Sequence, residues 1–229
     1  MNYTNELVTL STETEKASFY RKTYTHLAMA VLAFIAVEGV LLNTIPEEWI
    51  LTMFSGKYTW LLFLGGFWLA ATLANKWALS QSKTTQYLGL GAYVFIEAII
   101  FLPMIYIAMT YSDPSIITQA GIITLALFGG LTGVAFTTKK DFSFLRNIIV
   151  VGGFVALGLI VAGAIFGFNL GLWFSAGMVL LASASILYET QKLKETYTTE
   201  QYVGASLQLF ASVMLLFWYV LRILMSRRD

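Results

Sequence analysis

The chain has 229 residues, 58% of them hydrophobic and 12% charged, with a net charge of +1 and no cysteine. That balance is far from the average for a soluble domain and marks a membrane protein. It excludes disulfides and thiolate metal sites, and no nucleic-acid partner is expected.

Residues 1–23 are polar and of mixed charge, and read as a cytosolic tail without a signal peptide. Neither end carries a lipidation or retention motif. Seven apolar segments follow near 24–45, 58–75, 87–110, 116–136, 144–167, 170–191 and 203–225. Each is close to the roughly 20 residues that cross hydrocarbon as a helix. The expected fold is an all-α integral membrane protein, a seven-transmembrane-helix bundle over 24–225. Short loops predict antiparallel neighbours. Lys16, Arg21, Lys22, Lys76, Lys83, Lys139, Lys140, Arg146, Lys192 and Lys194 share one side of alternating spans, which places the N-terminus in the cytosol. Arg227 and Arg228 then fall outside, against that rule. The last segment is therefore a full span or re-entrant, and its length favours the span.

The first span carries Glu38, roughly 10 Å from its outer end at helical rise, where a carboxylate can reach toward the headgroups, so an interfacial role is expected for it. The second contains Gly65 and Gly66 and ends near Lys76. The third holds Glu97 at its centre and Pro103, which removes a backbone hydrogen bond and predicts a kink. Gly129 with Gly133, and Gly163, Gly167 and Gly171 at four-residue spacing, predict close helix contacts. Trp49, Tyr58, Trp60, Trp77, Tyr87 and Trp173 read as interfacial anchors. The sixth span ends with Ala182, Ser185 and Glu189 on one face, just before Lys192 and Lys194. In the seventh, Gln208, Ser212, Leu215, Tyr219 and Arg222 share one helical face. A polar stripe in so apolar a helix faces protein or water, so this helix is central, or peripheral with its stripe on one neighbour.

An intramembrane carboxylate costs about 2.5–3.5 kcal/mol on insertion scales and is a functional candidate by default. Glu97 is too deep to reach water, so it is protonated, paired or hydrated through a cavity. Glu189, near the cytosolic end, is either an interface residue or a site. Arg222 lies about 28 Å from that end, so Lys76 is the expected cationic partner of Glu189. No enzyme is expected: HExxH and GxSxG are absent, and the single histidine, His26, is read as structural. The seventh helix has no lysine for a retinal Schiff base.

The segments Phe19-Tyr20-Arg21-Lys22-Thr23-Tyr24, TTKKDFSFL (137–145), ILYETQKL (186–193) and QYVGASLQLF…VLRIL in the last span carry a resemblance over nearly the whole chain. The chain resembles the Bax inhibitor-1 family, in a bacterial form. The resemblance implies a seven-helix bundle with a central last helix and a pH-sensitive calcium leak. In the family, two aspartates on helices six and seven share a site, and a basic residue on helix two latches onto the first. Glu189 stands in place of the helix-six aspartate, Ser212 in place of the helix-seven one, and Lys76 near the latch. Ser212 cannot ionise, and Glu97 is a candidate for the missing charge.

Three functions are expected in order. The first is a calcium (cation) leak gated by protonation of Glu189, with Glu97, Ser185 and Gln208 along the path. Calcium prefers six to eight oxygens, so these residues would hold it only transiently near Glu189 and Glu97, as a permeant ion and not a cofactor. The second is a regulatory protein that binds another membrane protein, such as a protease or a cell-death pathway component. The third is a secondary transporter, for which no repeat is evident. Membrane lipids are partners in each case, and a bacterial plasma membrane is the expected location.

Overall fold

The computed structural model describes residues 7–55 and 57–226, apart from the side chains at 54, 55, 57–64, 67, 71 and 75. The described residues form eight α-helices: α1 (Glu13–Thr44), α2 (Glu47–Ser55), α3 (Lys57–Ala78), α4 (Lys83–Thr110), α5 (Ser115–Thr137), α6 (Leu145–Phe166), α7 (Gly171–Glu195) and α8 (Tyr202–Ser226). Among the described residues, six are long and apolar enough to cross a membrane: α1, α4, α5, α6, α7 and α8. α3 occupies the place expected for the second span. Residues 1–6 of the expected tail, the side chains of Tyr58 and Trp60, and the Arg227–Arg228 pair lie outside the described residues.

α1 begins well before residue 24, because Thr12 starts it. The Thr12 hydroxyl accepts from the Glu15 N–H, and the Glu15 carboxylate accepts from the Thr12 N–H at 2.9 Å, a reciprocal capping box. The chain ahead of it is docked. The Val8 N–H donates to Tyr197 O at 3.0 Å, Leu7 bridges to Thr198, and the Val8 side chain is fully buried. Phe19, Thr23, Leu27, Ala30, Phe34 and Glu38 are the buried residues of α1. Their spacing of three and four residues is a single helical face, which α1 lays against α4 and α8.

A helix absent from the sequence expectation, α2, fills the first loop. Pro46 precedes it, and the Pro46 carbonyl accepts from the Trp49 N–H at 3.0 Å, an arrangement for which proline's fixed φ is suited. Ile50 is buried while Trp49 stays exposed, and Tyr111 donates to Glu47 across to the end of α4 at 3.2 Å.

Chain neighbours are not always space neighbours. α5 packs against α7 and α8 rather than α6, and α1 packs against α4 and α8 rather than α3. α8 contacts α1, α3, α4, α5 and α7. Residues 201–210 are buried without interruption, so the first half of α8 is covered on all sides and not along one stripe. α6 is the opposite case: Val151, Phe154 and Val155 are all exposed, as suits a helix bathed in lipid.

The glycines correct the expected close contacts. A Cβ at Gly65, Gly66, Gly129 or Gly133 would meet open space. Gly167 is a left-handed helix cap with φ 77°, and its N–H donates to Gly163 O at 2.8 Å, the conformation glycine adopts without steric penalty. Gly163 does meet a neighbour, since a Cβ there would lie 3.1 Å from the Phe168 carbonyl oxygen just before α7, but tighter approaches occur elsewhere. A Cβ on Gly204 would lie 2.0 Å from the Ala78 carbonyl oxygen, and one on Gly89 would lie 2.9 Å from the Trp77 Cβ. Trp77 is therefore a packing residue between α3 and α4, not only an interfacial anchor.

Candidate functional site

Glu189 sits near the end of α7 with its side chain 12% exposed. Both carboxylate oxygens accept from Lys192 Nζ, at 3.2 and 3.4 Å. The expected Glu189–Lys76 contact is not formed, and Lys76 at the end of α3 is exposed. The reason is local: Lys192 lies three residues on along the same helix face, so its ammonium reaches Glu189 without leaving α7. It also stands 5.5 Å from the Tyr188 ring and 5.8 Å from the Tyr197 ring, where ring faces favour a cation.

One turn deeper, Ser185 and Ser212 meet across the α7–α8 contact with their hydroxyls 3.0 Å apart. Gln208, a turn earlier on α8, is 9% exposed. The structure thus brings Ser185 and Ser212 together, a turn below the Glu189–Lys192 pair. Arg222 is half-buried, ten residues past Ser212, or about 15 Å along the helix.

Glu97 lies apart from that group. It is 2% exposed on α4, and neither carboxylate oxygen has a hydrogen-bond partner. Tyr93, one turn earlier, stands beside it without a well-formed hydrogen bond. Glu97 and Ser185 both line a cavity of about 560 Å³ between α3, α4, α6, α7 and α8, whose remaining wall is mostly apolar. Glu38 is 5% exposed, and both its oxygens also lack partners. Its side chain is therefore enclosed by protein. The i, i+4 spacing from Phe34 was the available signal. Among the described residues, no three His, Asp or Glu side chains gather where a metal ion could be held.

The two most specific sequence segments meet in space. Between α5 and α6, Asp141 accepts from the Ser143 N–H at 2.7 Å and the Ser143 hydroxyl at 2.8 Å. Gln191 reaches over from α7. Its Nε2 donates to Asp141 at 3.0 Å and to Glu195 at 2.8 Å, and its Oε1 accepts from the Phe142 N–H. Lys194 donates to the Ala135 carbonyl at the end of α5 at 2.6 Å. KKDFSFL and LYETQK are therefore the two halves of one clasp, and nothing in either motif alone signals the other.

The Ser143 N–H, the Gln191 amide and the Ser143 hydroxyl hold the Asp141 carboxyl below its ordinary value. A depressed carboxylate contributes stability that is complete above the unfolded value, 3.8, and is lost as pH falls below it through the folded value. Amide hydrogen exchange at Phe142 and Ser143 is expected to accelerate below about pH 4. Asp141→Asn should show no such step, and an identical step in that variant would rule out Asp141 as its source.

A second clamp joins the end of α3 to the beginnings of α4 and α8. Gln86 on α4 accepts from the Gly204 N–H at 3.1 Å and donates to Ser80 O at 2.8 Å. Gln201 donates to Leu79 O at 3.2 Å, and Lys83 pairs with Glu200. His26 donates through Nδ1 to Lys22 O at 2.7 Å and accepts from the Tyr87 hydroxyl at 2.9 Å. That network assigns the tautomer and gives His26 its structural role, joining α1 to α4.

The family model described as "Inhibitor of apoptosis-promoting Bax1" matches residues 16–229. An uncharacterized protein of Pseudomonas aeruginosa is 34% identical over 164 residues, covering 70% of each chain. Bax inhibitor 1 of Schizosaccharomyces pombe is 26% identical over 215 residues, covering 91% of this chain and 76% of its own. The Golgi anti-apoptotic protein of Vaccinia virus (strain Lister) is 31% identical over 121 residues, about half of each chain at 51% and 49%. The family is non-catalytic, and the bacterial relatives support a bacterial membrane location. With its long apolar helices and a match from residue 16 onward, the chain is an integral, multi-pass membrane protein and belongs to the Bax inhibitor-1 family.

Proposed function

We propose that this protein is a membrane regulator that binds another membrane protein and modulates it, in the manner of a stress or cell-death suppressor. The family match over residues 16–229 carries this reading, and relatives named Bax inhibitor 1 and Golgi anti-apoptotic protein support it. In this reading α3 is the second of seven spans, α8 is the central helix and the N-terminus is cytosolic. The lipid-facing side of α6 is the partner surface: Phe154 is 72% exposed and Val151 61%, and small shifts of apolar area there cost the bundle little. A photo-crosslinking residue at Phe154 should yield a discrete protein adduct in native membranes, whereas one at Leu32 on α1 should yield only lipid adducts. Lipid adducts alone from both positions would remove α6 as the partner surface.

A second reading, a pH-sensitive calcium leak, draws on one observation: the nearly buried Glu189 stands a turn above the Ser185–Ser212 contact. The path would run from Glu189 past these hydroxyls and Gln208 toward Glu97. Its closed state needs a different account from a latch between helices, because the Lys192–Glu189 pair lies within α7 and tethers nothing to α3. Protonation of Glu189 would release Lys192 and let the end of α7 rearrange. Calcium flux into liposomes should rise severalfold from pH 8 to pH 6 for the wild type. Glu189→Gln should give high flux at both; equal flux and equal pH response in the two proteins would end this reading.

A further inference from the structure

The cavity of about 560 Å³ is within the size range of small-molecule sites. Trp68 on α3 and Phe154 on α6 form its rim and are 62% and 72% exposed, so the rim lies on the lipid-facing side of the bundle. Met178, Met214 and Trp218 supply apolar wall. The polar lining is sparse: Thr72, Ser185, Tyr219 and Glu97. Among the described residues, Glu97 is the one carboxylic acid that lines the cavity, and no lysine, arginine or histidine lines it too. Its carboxylate oxygens are covered by protein and accept from no donor, a costly state for a buried polar group. The missing complement is a cationic hydrogen-bond donor attached to an apolar body.

We propose that this cavity binds a lipophilic amine, entering from the bilayer between α3 and α6 and placing its ammonium group against Glu97. The apolar body replaces lipid contacts along Met178, Met214 and Trp218. The ammonium group gives Glu97 a charge-assisted partner, where the nearest donor the protein offers is the neutral Tyr93 hydroxyl, poorly aligned. Glu97 lines the cavity while its oxygens are covered by protein, so in this proposal it turns about its side-chain torsions, which have several staggered wells, to meet the amine. Ser185, paired with Ser212, adds a hydroxyl to the lining from α7. Such a ligand would wedge α4, α7 and α8 at one point, which makes the site a route for controlling whatever the bundle does.

The test uses the full chain in phosphatidylcholine nanodiscs with three probes of equal chain length: dodecylamine, dodecanol and dodecanoate. Thermal midpoint is followed against probe concentration. In the wild type, dodecylamine should raise the midpoint saturably, at a half-saturating concentration at least tenfold below that of dodecanol, with dodecanoate weakest. Glu97→Gln should bring amine and alcohol to within about twofold of each other. Gly153→Phe should abolish saturable binding of both, since Gly153 lines the cavity and a Cβ there meets open space. Equal potency of amine and alcohol in the wild type, an unchanged preference in Glu97→Gln, or saturable binding that survives Gly153→Phe would each overturn the proposal. If Glu97→Gln does not fold, the wild-type ranking and Gly153→Phe still decide it.

Discussion

Gly204→Ala is expected to destabilise the bundle by about 3 kcal/mol or more, at the upper end of the cost of overpacking. The added methyl would sit 2.0 Å from the Ala78 carbonyl oxygen and 2.7 Å from its carbon. The obstacle is main chain and not the end of a flexible side chain, so relief requires α3 and α8 to move apart. That movement is opposed by the Gln86 bond to the Gly204 N–H and the Gln201 bond to Leu79 O. Either those bonds lengthen or the first turn of α8 unwinds. Gly177→Ala is the matched control, because a Cβ there meets open space in the second turn of α7. It should be neutral or stabilising by about 0.5–1 kcal/mol, the usual helix-interior difference between glycine and alanine. Denaturant unfolding in mixed micelles reads both. Equal midpoints for the two variants would show that α3 and α8 do not approach as closely as described.

Gln191→Leu is the second large effect. The residue is only 9% exposed and makes three hydrogen bonds at once. Leucine fills a similar volume but leaves the half-buried Phe142 N–H without its acceptor. It also removes a donor from both Asp141 and Glu195. An orphaned buried group costs about 1–3 kcal/mol, so a loss of about 2–3 kcal/mol is expected, concentrated in the loop between α5 and α6. The loop should become cleavable by protease at residues 138–144 while the rest of the bundle stays protected. Combining Gln191→Leu with Asp141→Ala should cost less than the sum of the single changes, because they remove one shared interaction. Strict additivity would mean that the two residues do not form one clasp.

The sequence disclosed the long helices well, because bilayer length and apolar composition are strong constraints. It disclosed depth less well than facing. Distance from the outer end suggests an interfacial Glu38, although its four-residue step from Phe34 already puts it on the buried face of α1. α2 escaped notice because nine residues are too short to register as a span. The glycine spacing pointed to the wrong contacts, since spacing marks where helices are able to approach, not where they do. Lys76 and Lys192 were both at the right depth for Glu189. Preferring the distant one follows from depth alone, while the near one wins because an intrahelical pair needs no precise helix–helix placement. The clasp was invisible for a different reason: its halves are about fifty residues apart, and hydrogen bonding between them depends on α5 packing against α7 instead of α6.

The placement of α8 has a consequence for biogenesis. It contacts five other helices, and its first half is enclosed on every side, yet it is made after all of them. During synthesis the earlier helices must stand in lipid around a furrow shaped for a segment still on the ribosome. Gly204, Gln86 and Gln201 can join only in the final step, when α8 slides in beside α3 and α4. A ribosome-stalled chain lacking α8 would therefore hold inserted but unlocked helices, a natural client for membrane chaperones and quality-control proteases.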